Sequence, residues 1–255
     1  MKDRSNKILG MLAQKKKLEV AELAKSLGVS AVTMRKDLDA LEESGLVKRE
    51  HGYAVLVSAD NVAGRMAYNY EIKKSIARKA AELVSDMETV MIESGSSCAL
   101  LAEEIAASKQ GVTIITNSSF IAKYIKEKGT QVILLGGVYQ PDSEVCVGPL
   151  IPQMAKNFLV NKFFLGVDGY DERAGFTSKD HLRAQAVRDM AEQAESAIVL
   201  TDSSKFTDHG VVPLNLGEKL KLVVTDDKIS DEAKSRLEGK GIQVEVVKSV
   251  KLDAK

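Results

Sequence analysis

Residues 27–38 read Leu27-Gly28-Val29-Ser30-Ala31-Val32-Thr33-Met34-Arg35-Lys36-Asp37-Leu38, and the N-terminal fold turns on them. Gly28 suits a helix C-cap, because glycine enters the left-handed region without a Cβ penalty. Ser30 suits the N-cap of the next helix. A short turn containing glycine between two helices is the helix-turn-helix arrangement. Upstream, Val20, Leu23, Ala24 and Leu27 recur at helical spacing, as do Ile8, Leu9, Leu12 and Ala13 over about residues 4–14. Lys15-Lys16-Lys17 closes that first helix at the end where the dipole favours cations. Downstream, Met34, Leu38 and Leu41 mark the buried face of a third helix over 31–43, ended by Gly45.

At about 100° per residue, Val32 and Lys36 point away from Met34, flanked by Arg35 and Asp39. Ser30, Ala31 and Thr33 sit at the tip. Small residues there permit close approach to base edges, and Arg35 and Lys36 can reach a base or a phosphate. Two short β-like runs follow, with Gly52 between them. They read as a wing whose basic strand, Lys48 and Arg49, lies along the DNA backbone or minor groove. The alternative is a three-helix interaction module without DNA contact.

Charge agrees with a split molecule. The 255 residues carry 36 basic and 36 acidic side chains, yet residues 1–57 hold a balance of +3 and the remainder −3. A basic head on a mildly acidic body points to an anionic partner for the head alone. Hydrophobic residues at 44% and charged residues at 28% fit an ordinary globular chain. No apolar run approaches the roughly 18 residues of a membrane span. The polar start, Met1-Lys2-Asp3-Arg4-Ser5-Asn6-Lys7, leads into no apolar signal region. Two cysteines, Cys98 and Cys146, make no disulfide framework. The expectation is a cytoplasmic protein that needs no membrane.

The run Val29–Leu38 with Leu41-Glu42-Glu43-Ser44-Gly45-Leu46-Val47-Lys48-Arg49 resembles the winged helix of the DeoR family of bacterial transcription repressors. Where that family carries a glycine pair in the wing, this chain has Gly52-Tyr53. Tyr53 either stacks on a sugar or packs on the helices.

Residues 58–71 have poor periodicity and read as a linker. From 72 onward, β-rich runs near 89–92, 112–116, 132–135, 163–167, 197–201, 222–225 and 244–247 alternate with helical stretches near 98–108, 120–128, 151–157, 182–194 and 231–237. Such alternation, with nearly continuous apolar strands, predicts an α/β domain over 72–255 with a mostly parallel sheet. The expected organisation is therefore a winged helix-turn-helix over 1–57, a linker over 58–71 and an α/β sensor beyond it.

Ligands of such sheets bind beyond the carboxyl ends of the strands, and five loops there carry chemistry. Glu93-Ser94-Gly95-Ser96-Ser97 before a helix suits a phosphate cradle of amides, dipole and hydroxyls. Plain N-capping by Ser96 or Ser97 is the other reading. Thr116 and Asn117 suit sugar hydroxyls, or a capped turn. Gly136-Gly137 permits a close backbone approach or a tight turn. Asp168 ends an apolar strand between glycines and reads as a ligand-facing carboxylate. Lys205 is a point charge for a phosphate or sugar oxygen, or a solvated loop cation. Together they suit a small phosphorylated sugar or polyol.

Gly166-Val167-Asp168-Gly169, Gly175-Phe176-Thr177 and Asp202-Ser203-Ser204-Lys205-Phe206 resemble the sensor domain of the same DeoR family, so the resemblance spans nearly the whole chain. It implies a repressor of a sugar or polyol operon, bound to double-stranded operator DNA as a dimer or tetramer and controlled by a sugar-phosphate effector. The sensor is also similar to ribose-5-phosphate isomerase, whose Asp-Gly-Ala-Asp-Glu segment looks like Asp168-Gly169-Tyr170-Asp171-Glu172. The isomerase follows that segment with a glycine run, a catalytic lysine and a catalytic glutamate. This chain lacks the glycine run and has Arg183 and Gln185 near the glutamate's place. The expectation is a pocket kept for binding without catalysis, cofactor or metal; a sugar-phosphate isomerase is the alternative. His51, His181 and His209 lack metal-ligand spacing. Cys98, just inside a helix start, is either dipole-activated or a packed thiol.

Overall fold

The turn between the second and third helices closes as its capping residues dictate. In the computed structural model, α1 (Lys2–Lys15), β1 (Lys17–Glu19), α2 (Val20–Ser26) and α3 (Ala31–Glu43) precede the hairpin β2 (Val47–Glu50) and β3 (Tyr53–Leu56). The structure describes residues 2–15, 17–43, 47–56 and 62–248. Lys16, Gly45 as the expected helix stop, Val57 at the end of the expected winged helix and residues 58–61 of the expected linker lie outside the described residues.

Gly28 has φ +64°. Its amide donates to the Lys25 carbonyl at 3.3 Å and that of Val29 to Ala24 at 3.0 Å. This pair is a Schellman C-cap. Ser30 Oγ accepts the Thr33 amide at 3.1 Å, the N-cap bond that opens α3. Ile8, Leu9, Leu12, Leu23, Met34 and Leu38 are fully enclosed, so three amphipathic helices share one small core.

Two features were not legible in the sequence. β1 adds a third strand to the wing, in the order β1-β3-β2. A helix, α4 (Val62–Ala67), forms where a linker was expected; it packs on α1 and buries Val62 and Met66 completely.

An ion pair stitches α1 to α3. Both oxygens of Asp37 accept from the Arg4 guanidinium, through Nε and through Nη2 at 2.9 Å. Asp37 is 2% exposed and Arg4 28%. Removing Arg4 leaves a carboxylate enclosed without its cation, whereas removing Asp37 leaves a cation that can turn to water. Arg4→Ala is therefore expected to lower the first melting transition of the full-length protein by more than Asp37→Ala. Equal shifts by differential scanning calorimetry would contradict that asymmetry.

The chain divides into two units, Met1–Glu71 and Ile72–Lys255. After α5 (Tyr70–Ala81), the second unit runs β4 (Thr89–Ile92), α6 (Ser96–Ser108), β5 (Thr113–Thr116), α7 (Ser119–Tyr124) and β6 (Gln131–Leu134). The hairpin β7 (Val138–Gln140) and β8 (Val145–Val147), α8 (Leu150–Ala155) and β9 (Val160–Leu165) come next. Then follow β10 (Gly169–Asp171), β11 (Gly175–Ser178), α9 (His181–Ala191), β12 (Ala194–Leu200), β13 (Val212–Pro213), β14 (Leu220–Asp226), α10 (Asp231–Gly239) and β15 (Gln243–Val247).

Seven strands form one sheet in the order β15-β14-β12-β9-β4-β5-β6, every pair parallel. Phe163, Phe164 and Leu165 of β9 and Val90, Met91 and Ile92 of β4 are buried on both faces, as a sheet covered by helices requires. The order reverses beside β4. The chain steps outward to β5 and β6, then returns to build β9, β12, β14 and β15 on the other side. The crevice between the ends of β4 and β9 is thus the topological switch point, where such folds bind ligands. Above the sheet, β10-β11-β13 form a small antiparallel sheet.

Candidate functional site

On the first unit the outer face of α3 is open. Ala31, Val32, Arg35 and Lys36 are exposed, Val32 to 63%. Ser30 and Thr33 share a hydroxyl contact of 2.9 Å at the helix start. The wing closes through His51 and Gly52, with φ of +48° and +87°. Two successive positive φ values make a type I′ turn, and glycine meets that demand at its second position. Tyr53 is 39% exposed, with Lys17 Nζ of β1 4.5 Å from its ring centroid. The two wing cations differ. Lys48 is exposed, 3.0 Å from Glu50. Arg49 turns back onto α3, 2.6 Å from Asp39 and 3.0 Å from Glu42. The backbone and side-chain hydrogen bonds of Arg49 hold the Glu42 carboxyl below its ordinary range. Arg49 therefore braces wing against helix, and any phosphate it met would have to displace two carboxylates.

On the second unit the first loop is built around Glu93. This carboxylate is 7% exposed. Its Oε2 accepts the amides of Gly95 at 2.7 Å and Gly166 at 3.3 Å, and its Oε1 accepts the Ser94 hydroxyl at 2.6 Å. Glu93 thus staples the loop after β4 to the loop after β9, and its charge is spent inside the protein. The two loops touch through glycines: a Cβ on Gly95 would stand 3.1 Å from Gly166 Cα. Side chains at either position would push the switch point apart.

Gly95, not a serine, is the N-cap of α6, and no side chain caps the helix. Ser96 and Ser97 occupy its first turn, Ser96 half-buried and Ser97 5% exposed. An uncapped helix start at the switch point presents amides with the positive dipole end behind them. Cys98 is fully enclosed, and burial pushes its thiol well up. It is a packed thiol.

The second and third loops turn inward. Thr116 Oγ1 accepts the Ser118 amide at 3.1 Å, and Ser118 caps α7 through the Ile121 amide at 3.2 Å. Asn117 Nδ2 donates to the Cys146 carbonyl at 3.0 Å, and the Cys146 amide returns to Asn117 O at 2.8 Å. A Cβ on Gly137 would run into the Val147 carbonyl oxygen. Gly136 donates its amide to Met154 Sδ at 3.1 Å. Thr116 thus shapes the turn after β5, while Asn117 and Gly137 tie the ends of β5 and β6 to the β7–β8 hairpin.

Asp168 lies beyond β9 with its side chain 18% exposed. Its Oδ2 accepts Ser178 Oγ at 3.0 Å and the Lys179 amide at 2.9 Å. Arg183 Nη2 stands 3.8 Å from the same oxygen. Arg183 sits in the first turn of α9, which Asp180 caps by accepting the Arg183 amide at 2.8 Å.

Lys205 belongs to a 3-10 turn over Ser203–Phe206 and meets Asp208 Oδ2 at 2.7 Å. That bond holds the Asp208 carboxyl below its ordinary range. Phe206 anchors the turn by packing on Tyr170 and Phe176, with centroids 5.4 and 6.0 Å apart. Beneath it, Asp202 accepts from the Ser204 amide and hydroxyl, and Lys73 Nζ lies 3.9 Å away. Both partners of this pair are almost wholly enclosed.

The structure therefore brings Gly95, Ser96, Ser97 and the loop leading to Asp168 to one crevice. It assigns Glu93, Thr116 and Gly137 to internal bonds or packing, and it bonds Asn117 through Nδ2 and backbone while leaving its buried Oδ1 without a hydrogen-bond partner. Arg183, Ser178 and Lys73 were not among the sequence candidates. Their partners lie 10 to 129 residues away in sequence, beyond the reach of local pattern. Among the described residues no group of histidine, cysteine or carboxylate side chains could hold a metal ion, and no helix is long and apolar enough to cross a membrane.

Residues 4–60 match a model described as the DeoR-like helix-turn-helix domain, and residues 68–227 one described as the DeoR C-terminal sensor domain. The chain is 30% identical over 249 residues to the HTH-type transcriptional regulator GolR of Listeria innocua, covering 96% of this chain and 98% of that one. It is 29% identical over 239 residues to the L-fucose operon activator of Haemophilus influenzae, covering 91% and 94%. A solved ribose 5-phosphate isomerase A from Methanocaldococcus jannaschii aligns over 54% of this chain and 55% of that one, at 20% identity and a TM-score of 0.40.

Proposed function

Since the chain belongs to the DeoR family of transcriptional regulators, we propose that it represses a sugar or polyol operon and that a phosphorylated sugar controls its grip on DNA. The observation that carries the effector half is the uncapped start of α6 at the topological switch point. An anion there meets free amides and a favourable dipole. Asp168 supplies an acceptor for a sugar hydroxyl nearby. Lys205 serves at the rim by exchanging Asp208 for the ligand.

The DNA half rests on α3. Val32, Arg35 and Lys36 face outward, with Ser30, Ala31 and Thr33 at the tip and Lys48 on the wing. Val32 suits a thymine methyl, and the two cations suit guanine or phosphate. Operators with repeated half-sites need paired heads, so the working form is a homodimer or tetramer in the cytoplasm.

The protein is a regulator and not an enzyme. Where the isomerase has its catalytic glutamate, this chain has Arg183 and Gln185, and neither is a carboxylate base. Glu93 is held by two amides and a hydroxyl and braces the two loops.

The test selects genomic fragments bound by the full-length protein and titrates the best of them with sugar and polyol phosphates in a mobility-shift assay. One phosphorylated compound should change DNA affinity at least tenfold while its unphosphorylated parent does not. It should also raise the melting midpoint. At 100 times its Kd a ligand adds about 2.7 kcal/mol, equivalent to several degrees at this chain length. Turnover of an aldose or ketose phosphate, or no preferred DNA fragment, would overturn the reading.

A further inference from the structure

Arg183, beside Asp168, has a guanidinium that is incompletely hydrogen-bonded. Its guanidinium is 17% exposed, and Nε is buried without a hydrogen-bond partner. Its ion pair with Asp168 spans 3.8 Å, longer than a hydrogen bond, and the Asp180 carboxylate also acts on it by charge. Arginine stays charged in proteins and carries five donors in a rigid fork. Buried donors are normally bonded, and an orphan calls for an explanation. The two neighbouring carboxylates balance its charge without a hydrogen bond to Nε. Asp180 faces the backbone, accepting the Arg183 amide, and gives its other oxygen to Gln140 Nε2 at 3.2 Å. Asp168 takes Ser178 and Lys179 at Oδ2.

Resting on the effector reading above, we propose that the ligand is a phosphorylated 2-hydroxy acid, a sugar-acid phosphate, whose carboxylate is gripped by Arg183. The chemistry of the pair selects that class. A lone carboxylate beside Asp168 would be repelled. A carboxylate with a hydroxyl on the next carbon meets both groups: the hydroxyl donates to Asp168, and the carboxylate accepts from the Arg183 fork, whose bidentate geometry it matches.

Distance permits one ligand to reach both ends. Gly166 touches Gly95 at the start of α6. Asp168 lies two residues further on, within about 8 Å of Gly166 by Cα spacing. The phosphate sits on the α6 amides and the hydroxy-acid end on Asp168 and Arg183.

The experiment compares matched pairs that differ only at the distal carbon. 6-Phosphogluconate and sorbitol 6-phosphate form the first pair, and the five-carbon aldonate and polyol phosphates the second. Inorganic phosphate is the common control. Binding is measured by calorimetry to the full-length protein and to Arg183→Gln and Arg183→Lys, with thermal melts confirming that each variant folds. The wild type should bind an aldonate phosphate at least tenfold more tightly than its polyol partner. Arg183→Gln should reduce that preference to less than threefold. Arg183→Lys, which keeps the charge and loses the fork, should fall between. Equal binding of the pair by the wild type, a preference for the polyol, or a preference that survives Arg183→Gln overturns this proposal and leaves the sugar-phosphate reading standing. No binding of any phosphorylated compound overturns both.

Discussion

Arg35→Ala combined with Lys36→Ala is expected to weaken binding to the selected DNA by about a hundredfold or more while leaving the fold intact. Both side chains are exposed on the outer face of α3, so their loss touches no core contact, and surface changes of this kind move stability by about 0.5 kcal/mol or less. A good base contact contributes about 1–3 kcal/mol of discrimination, and about 1.4 kcal/mol is a factor of ten. Two such losses together reach a hundredfold. Part of the loss is electrostatic. For each phosphate contact removed, the slope of log affinity against log salt should flatten by about 0.9. Fluorescence anisotropy at several salt concentrations reads both quantities. Undiminished affinity with an unchanged slope would mean that α3 is not the face that meets DNA. Arg49 makes a contrast: its ion pairs with Asp39 and Glu42 mean that Arg49→Ala should act through the wing's attachment and lower the melting midpoint as well.

Ser96→Asp should produce a protein that binds DNA normally and no longer responds to its effector. The residue is half-buried at the first position of α6. A carboxylate in that first turn is favourable to the helix dipole by about 0.3–1 kcal/mol, so the melting midpoint should hold or rise slightly. The same charge stands where the phosphate must sit. Like charges in contact should raise the effector concentration needed for release by at least a hundredfold. The opposite signs of the two effects separate a blocked site from a damaged fold. A variant that releases DNA at the wild-type effector concentration would show that the phosphate binds elsewhere.

The α/β alternation was legible because strands buried on both faces are apolar throughout, as Ile114-Ile115 and Phe163-Phe164-Leu165 are. Strand ends moved by a few residues: β9 begins at Val160 and β12 at Ala194. Both extensions run through polar residues such as Asn161, Lys162 and Glu195 at the sheet's rim, where hydropathy carries no signal. β1, β7, β8, β10, β11 and β13 were missed because strands of two to four residues have too few side chains to show a period. The helix α4 was missed for a similar reason. Six residues with Gly64 at their centre show almost no helical pattern, and packing on α1 stabilises what propensity does not.

The candidate site divides by the range of the interaction that settles each residue. Local chemistry was sufficient for Gly28 and Ser30, whose caps use partners within five residues, and for Val32, Arg35 and Lys36, whose direction follows from helical period. It was insufficient for the sensor loops. Ser96 could have been a cap or part of a cradle, and that depended on Gly95 taking the cap position. Glu93 looked ligand-facing until the Gly166 amide, 73 residues away, closed on its carboxylate. Lys205 carries a charge any reader can see, but Asp208 compensates it. Arg183 could be seen in the sequence only as an arginine near a glutamate's place; Asp168 beside it and the orphaned Nε came with the fold. Sequence alone determined the two architectures, the caps and the outward face of α3, because those follow from period and backbone preference within a few residues. Tertiary structure alone decided which polar side chains remain for a ligand, because a charge or hydroxyl is available only if no distant part of the chain has already satisfied it.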